Sequence, residues 1–237
     1  MEMKDLSDSA QNYLKALWTL SEWSGEPVAP SKVAAHLDLR PSSVSDQIRR
    51  LREQGLVEHA PYGAVGLTER GRAIALQMVR RHRLIETFLA DTLGYTWDEV
   101  HEDADRLEHA VSDRMLARLD ELLGHPTRDP HGDPIPAPDG TVPDSGDGGL
   151  DAARAGALVE VTRVRDADSA LLRHLSDSGV TPGARFTVSD AGASAGVLLL
   201  RPAAGAGAAI PVSRDVAALI RVAYVADPPA GAGEGRR

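Results

Sequence analysis

The sequence predicts a mainly α-helical chain that ends in a small β domain. Apolar residues recur at the three- and four-residue spacing of amphipathic helices as far as Leu122. Six prolines then interrupt this pattern between about residues 125 and 155, which excludes a continuous helix there. Short runs typical of strands follow at 158–164, 185–189, 197–200 and 220–225. With 237 residues, the chain is long enough for one to three domains.

The N-terminal segment, 1–74, has the pattern of a winged helix-turn-helix. The predicted elements are a helix with apolar residues Leu14, Leu17, Trp18 and Leu20, a helix at 31–37, a turn at 38–41, a helix at 42–54, and strands at 56–59 and 65–67. The turn at 60–63 contains Pro and Gly and would join the strands into a wing. In the third helix Val44, Ile48 and Leu51 share one face, which leaves the opposite face free for binding.

That third helix is typical of one that enters the major groove of DNA. Its first residues offer short polar side chains to base edges, and arginines around it can reach phosphates. The candidate DNA-binding residues are Ser42, Ser43, Ser45, Asp46, Gln47, Arg40, Arg49, Arg50 and Arg52, with Tyr62 in the wing. The alternative is that the serines only cap the helix and that Arg49 only pairs with Glu53.

The next segment, 75–140, is predicted to be helical. One helix extends from about residue 68 to 93, and a single long helix follows at about 100–122. The apolar positions of that second helix suit packing against a partner helix, so we assign it to dimerisation. A flexible linker is expected at 141–155, a small β-barrel at 156–226 and a disordered tail at 227–237.

Composition restricts the chemistry that the chain can perform. No cysteine is present, which excludes disulfides, thiolate zinc sites, iron-sulfur clusters and cysteine nucleophiles. The net charge of −9 does not exclude DNA binding, because the negative charge is concentrated in one part of the chain. Residues 76–150 carry 7 basic and 16 acidic groups, and the flanking thirds are nearly neutral. No apolar run approaches the roughly 20 residues of a membrane helix. We therefore expect a cytoplasmic protein without membrane contact.

The acidic middle segment carries a pattern typical of a metal site. On a helix, His101, Asp105, Glu108 and His109 would share one face, and the preceding helix carries His82 and Glu86 one turn apart. Oxygen and imidazole donors without sulfur favour a hard ion such as Mn²⁺, with Fe²⁺ the nearest competitor, and Zn²⁺ and Co²⁺ can substitute in vitro. The alternative is a solvated acidic face with incidental histidines.

Several motifs together resemble the diphtheria-toxin-repressor family of bacterial metalloregulators, and within it the manganese-responsive branch. They are Lys4-Asp5-Leu6 with Asn12-Tyr13-Leu14, the helix-turn-helix through Gln54-Gly55-Leu56-Val57, Arg81-His82-Arg83-Leu84, His101-Glu102, Glu108-His109-Ala110-Val111-Ser112-Asp113, and Pro130-His131-Gly132-Asp133-Pro134-Ile135-Pro136. The resemblance implies that the C-terminal barrel is of the FeoA type, which is SH3-like.

The resemblance also implies the ligands of one or two Mn²⁺ ions per subunit. The regulatory site would use Asn12, Asp105, Glu108 and His109, and a neighbouring site would use His82, Glu86 and His101 with Asp168 or Asp166 from the barrel. Iron-responsive members have methionine in place of Asn12 and cysteine in place of Asp105, so the oxygen donors here favour manganese. Some manganese-responsive members have an acidic ligand at the position of Lys15, which cannot bind a metal ion while protonated.

The function implied is a manganese-dependent repressor of manganese uptake genes. We expect a homodimer on palindromic double-stranded operator DNA, with its recognition helices about 34 Å apart, and no organic cofactor. The alternatives are an iron-dependent regulator of the same family, a metalloenzyme built on the same carboxylates and histidines, and a metal-independent regulator with an organic effector in the barrel.

Overall fold

The computed structural model describes residues 3–59, 63–143, 146–166, 168–190, 196–203 and 207–226. The chain divides into two compact units, the first comprising 1–88, 104–127 and 135–143 and the second 89–103, 128–134 and 144–237. The domain boundaries given above stay a prediction. Among the described residues, no helix combines the length and the apolar character that crossing a lipid bilayer requires.

The N-terminal part of the first unit is a three-helix module with a two-stranded hairpin. Its elements are α1 (Asp8–Ser24), α2 (Pro30–His36), α3 (Pro41–Glu53), β1 (Val57–His59) and β2 (Val65–Leu67). The Ser7 hydroxyl caps α1 by accepting from the Ala10 amide, and Gly25 ends the helix with a φ of 69°. Helix α3 begins at Pro41, whose fixed φ and missing N–H suit a first turn.

One apolar core holds this module together. Leu14 and Leu17 of α1 and Val44, Ile48 and Leu51 of α3 all lie in it with almost no exposed surface. Strands β1 and β2 pair antiparallel, with Val57 opposite Leu67. The predicted winged helix-turn-helix is therefore confirmed, while the predicted turn residues 60–62 lie outside the described part of the chain. Because α1 and α3 share a core, the position of α1 determines the position of α3.

Three further helices follow, namely α4 (Glu69–Leu93), α5 (Val100–Leu107) and α6 (Asp113–Leu122). The prediction of a single long helix at 100–122 was wrong. The Ser112 hydroxyl accepts from the Met115 amide at 3.2 Å and caps α6, so a new helix begins where the apolar pattern had suggested continuity. As a result, Glu108 and His109 lie in the turn after α5 rather than within a helix.

The second unit contains a six-stranded antiparallel sheet in the order β3-β8-β4-β5-β6-β7. Its elements are β3 (Gly148–Gly149), β4 (Leu158–Val164), α7 (Ser169–Asp177), β5 (Arg185–Ser189), β6 (Val197–Pro202), β7 (Ile210–Ser213), α8 (Arg214–Ala217) and β8 (Ile220–Ala226). The sheet begins inside the segment predicted as a linker, since β3 pairs with β8 and Leu150 is fully buried. Tail residues 227–237 lie outside the described residues.

Candidate metal centre

A cluster of ionisable side chains forms in the first unit where α1, α4 and the end of α5 meet. His82 of α4, Asp105 of α5 and Glu108 each offer a ligand atom within 4.8 Å of the others. The side chains of His82 and Glu108 are buried, whereas that of Asp105 is 47% exposed. His82 Nδ1 lies 2.7 Å from Glu108 Oε2, and His82 Nε2 lies 2.9 Å from Glu86 Oε1. Two helices and a turn therefore converge on one group of donors.

The ammonium of Lys15, on α1, lies in the middle of this cluster. It donates to Asp105 Oδ1 at 2.7 Å and to Glu108 Oε1 and Oε2 at 2.7 and 2.8 Å. The same Nζ lies 3.3 Å from His82 Nδ1. The lysine side chain is only 13% exposed. A cation of the chain itself thus holds α1 to the end of α5.

Mutual attraction keeps the buried groups of the cluster charged. Burial raises the pKa of Glu108, but hydrogen bonding and attraction from His82, together with Lys15, outweigh burial and lower the pKa overall. Burial lowers the pKa of Lys15, yet Glu108 and Asp105 raise it above its usual value. For His82, burial is likewise outweighed by Glu86 and Glu108, and its pKa rises to about 9. The cluster is therefore a network of ion pairs.

A second group of donors, Asn12 and His109, adjoins the first. His109 Nε2 lies 2.8 Å from Asn12 Oδ1 and 3.5 Å from Glu108 Oε1. The other ring nitrogen, Nδ1, lies 2.9 Å from Gln11 Oε1. The structure therefore places His109 beside Asn12 and Glu108, while Asp105 lies with Glu108 in the group that includes His82. The four residues that the family resemblance implied for the regulatory site are spread over these two adjoining groups.

Gln11 determines which ring nitrogen of His109 carries the hydrogen in the neutral imidazole. The Gln11 amide nitrogen donates to the carbonyl oxygens of Met3 and Leu6, both at 3.1 Å, so its Oε1 is left as an acceptor. Oε1 must then receive the Nδ1–H of His109, and in the neutral ring Nε2 presents a lone pair. That lone pair faces Asn12 Oδ1, another acceptor. A turned Asn12 amide, a second ring hydrogen or a cation between the two acceptors would each remove this conflict.

This donor set fits a divalent ion. Two carboxylates, one amide oxygen and an imidazole lone pair are ligands of hard and intermediate cations, and no sulfur is present. Gln11 supplies the hydrogen bond behind the imidazole that metal-ligating histidines usually have. Neither Gln11 nor Lys15 was among the predicted site residues. Two features of the sequence pointed to them: Gln11 directly precedes Asn12, and Lys15 lies three residues after Asn12 on the same helix face.

The residues predicted for the neighbouring site fall in both compact units. In the first unit, His82 and Glu86 pair across one turn of α4. In the second unit, His101 Nδ1 lies 3.4 Å from Asp166 Oδ2. One oxygen of the Asp168 carboxylate accepts from the Ala170 and Leu171 amides at 2.8 and 3.3 Å and caps α7. The choice between Asp166 and Asp168 as a ligand stays a prediction.

The candidate DNA-binding face of α3 is open to solvent. Exposed side chains there are Arg40, Ser42, Ser43, Ser45, Asp46, Arg49, Arg50 and Arg52, and Gln47 is half-buried. The serines do not cap the helix, since its N-cap residue is Arg40 and no side chain accepts there. Ser45 donates to the Pro41 carbonyl, and Arg49 pairs with Asp46 at 2.9 Å rather than with Glu53. Tyr62 lies outside the described residues.

Three known families match successive parts of the chain. Residues 5–65 match the family described as iron dependent repressor, N-terminal DNA binding domain, and residues 68–137 match the iron dependent repressor, metal binding and dimerisation domain. Residues 149–224 match the FeoA domain. The predicted order of a DNA-binding, a helical and an FeoA-type domain is therefore confirmed. The matched dimerisation domain includes α6, which exposes Met115 and Leu122.

Individual proteins agree with these matches. The chain is 36% identical over 198 residues to the iron-dependent repressor IdeR of Mycobacterium tuberculosis, covering 78% of this chain and 86% of that protein. It is 36% identical over 171 residues to the diphtheria toxin repressor of Corynebacterium diphtheriae, covering 72% and 71%.

Solved structures are also similar. A manganese-dependent transcriptional repressor in complex with manganese has a TM-score of 0.86 and 46% identity, covering 91% of this chain and all of that chain. The manganese regulator SloR has a TM-score of 0.77 and 30% identity, covering 91% and 98%. Because the two iron dependent repressor families and the named relatives are transcriptional repressors rather than enzymes, the metalloenzyme alternative is set aside. This chain belongs to the diphtheria-toxin-repressor family of metal-dependent, DNA-binding transcriptional repressors.

Proposed function

We propose that this repressor responds to manganese and that, when loaded, it binds a palindromic operator as a homodimer and represses manganese uptake genes. One observation carries the proposal: α1 of the DNA-binding module contributes Asn12 to the donor group at the end of α5, with His109 Nε2 2.8 Å from Asn12 Oδ1. A cation held there by Asn12, Asp105, Glu108 and His109 supplies the positive charge that draws these donors together.

The choice of manganese over iron rests on the ligand types. Asn12 and Asp105 present oxygen where iron-responsive members of the family present sulfur, and oxygen donors favour the harder ion. The similar structures of a manganese-dependent transcriptional repressor and of the manganese regulator SloR support the same choice. IdeR, which is named for iron, supports the alternative of an iron-dependent regulator.

The contact between Asn12 and His109 is linked to the DNA-binding helix α3 through the core of the N-terminal module. Asn12 and Leu14 lie on the same helix, and Leu14 packs in the same core as Ile48 of α3. When α1 is held against the end of α5, α3 is therefore held in a defined orientation. In a homodimer, two such α3 helices about 34 Å apart match successive major grooves of a palindrome. Metal binding and DNA binding then favour the same conformation, and each strengthens the other.

The test is a DNA-binding series on a duplex selected from a random-sequence pool in the presence of Mn²⁺. We expect the selected duplex to contain an inverted repeat and chelation to abolish binding. At saturating concentrations, Mn²⁺ should restore binding more completely than Fe²⁺, Co²⁺ or Zn²⁺, although these ions bind most oxygen and nitrogen sites more tightly. Binding that persists after chelation would favour a metal-independent regulator, and fuller restoration by saturating Fe²⁺ than by Mn²⁺ would favour the iron alternative.

Matched histidine variants separate the site from the rest of the chain. His109→Ala removes a proposed ligand, whereas His174→Ala changes an exposed histidine on α7 of the second unit. We expect His109→Ala to lose Mn²⁺-dependent DNA binding while His174→Ala keeps it. Equal responses of the two variants would contradict the proposed site.

A further inference from the structure

The donor group contains a cation of the chain itself. The Lys15 ammonium contacts both oxygens of Glu108 and one oxygen of Asp105, all within 2.8 Å. The Glu108 side chain is 1% exposed and that of Lys15 is 13% exposed. Water therefore competes little with this ion pair. Lys15 thus joins the two carboxylates through one ammonium group.

Without this ammonium, the cluster would be unfavourable. Two carboxylates would share a small, partly buried space without the cation that contacts both of them, and removing one partner of a buried ion pair costs several kcal/mol. Lys15 therefore stabilises the metal-free protein. An ammonium and a divalent ion cannot both occupy the position in contact with the same carboxylate oxygens, because they repel each other.

We propose that Lys15 is a tethered competitor of the metal ion: its ammonium occupies the group formed by Asp105, Glu108 and His82 until a divalent ion displaces it. The competitor raises the free metal concentration at which the repressor becomes loaded. This inference rests on the proposed use of Asp105 and Glu108 as ligands. Lys15 lies three residues after Asn12, so it and a proposed ligand share one face of α1.

Neutral substitution of Lys15 provides the first test. Lys15→Met removes the charge and keeps an unbranched side chain, and Lys32→Met makes the same change at an exposed position on α2. Mn²⁺ binding is measured with MnCl₂ by the electron paramagnetic resonance signal of free Mn²⁺. Relative to Lys32→Met, we expect Lys15→Met to bind at least about tenfold more tightly, because a competing like charge is removed. Equal or weaker binding by Lys15→Met overturns the proposal.

The wild-type chain provides a second test that does not depend on the folding of a variant. Lysine acetylation by limiting acetic anhydride is followed by mass spectrometry with and without MnCl₂. Displacement predicts that Mn²⁺ increases acetylation of Lys15 relative to Lys32. Unchanged or reduced acetylation of Lys15 shows that the ammonium stays in place and overturns the inference.

The two experiments also separate this inference from the proposed function. Wild-type protein that binds no Mn²⁺ contradicts the proposed function itself. Wild-type protein that binds Mn²⁺, with an affinity that Lys15→Met leaves unchanged, contradicts only the role of Lys15.

Discussion

Gln11 is the residue whose substitution tests the orientation of His109 most directly. Gln11→Leu removes three hydrogen bonds of 2.9–3.1 Å, two to the Met3 and Leu6 carbonyls and one from the imidazole. At about 1 kcal/mol for each bond, and with some recovery from the added apolar contact, the free energy of unfolding should fall by about 2 kcal/mol. Mn²⁺ affinity should fall by about 10- to 100-fold, because the ring of His109 is no longer held.

Gln11→Glu separates the two effects. Its carboxylate still accepts the Nδ1–H of His109 but faces the Met3 and Leu6 carbonyls without donors to offer them. This variant should therefore lose stability and yet keep Mn²⁺ affinity closer to that of the wild type than Gln11→Leu does. Urea unfolding of the metal-free protein measures stability, and the signal of free Mn²⁺ measures affinity.

The control is Gln77→Leu, the same substitution at an exposed position on α4. It should change neither quantity appreciably. The reasoning is refuted if folded Gln11→Leu binds Mn²⁺ as tightly as Gln77→Leu, because His109 would then be oriented without Gln11.

Three other predictions concern ligand chemistry, phosphate contact and pH. Asp105→Cys should shift the response in the DNA-binding assay toward Fe²⁺, Zn²⁺ or Co²⁺, and an unchanged metal profile would contradict the oxygen-donor argument. Arg50→Ala should weaken binding to all DNA sequences and flatten its salt dependence, whereas Arg118→Ala, at an exposed position on α6, should not. The pKa of His82 is raised to about 9, so protonated His82 stabilises the metal-free protein fully below about pH 6.5, and this contribution is lost as the pH rises through about 9. Urea unfolding should show a loss of about 3 kcal/mol across that interval, and a His82→Gln variant that keeps the same pH slope would refute the assignment.

Regular elements with a strong pattern were predictable. The predicted helix at 42–54 corresponds to α3 at Pro41–Glu53, and the strand at 158–164 has the bounds of β4. The break between α5 and α6 was missed because apolar residues continue across it, although Ser112 followed by Asp113 is a helix-start signal. Strand β3 escaped prediction because two glycines carry no apolar alternation and pair only through the backbone.

The amino-acid types by themselves determined the chemistry of the candidate site. Without cysteine, and with Asn12 and Asp105 where the resemblance implies sulfur ligands in iron-responsive members, the candidate donors are oxygen and nitrogen atoms. What the tertiary structure decided is which side chains meet. His109 contacts Asn12, 97 residues earlier in the chain, and Lys15 reaches Glu108 across 93 residues. No local periodicity encodes contacts between residues so far apart in the chain, because these contacts arise from the packing of α1 against the end of α5. The same packing places the Lys15 ammonium against Asp105 and Glu108, where the sequence alone showed only a difference from the family pattern.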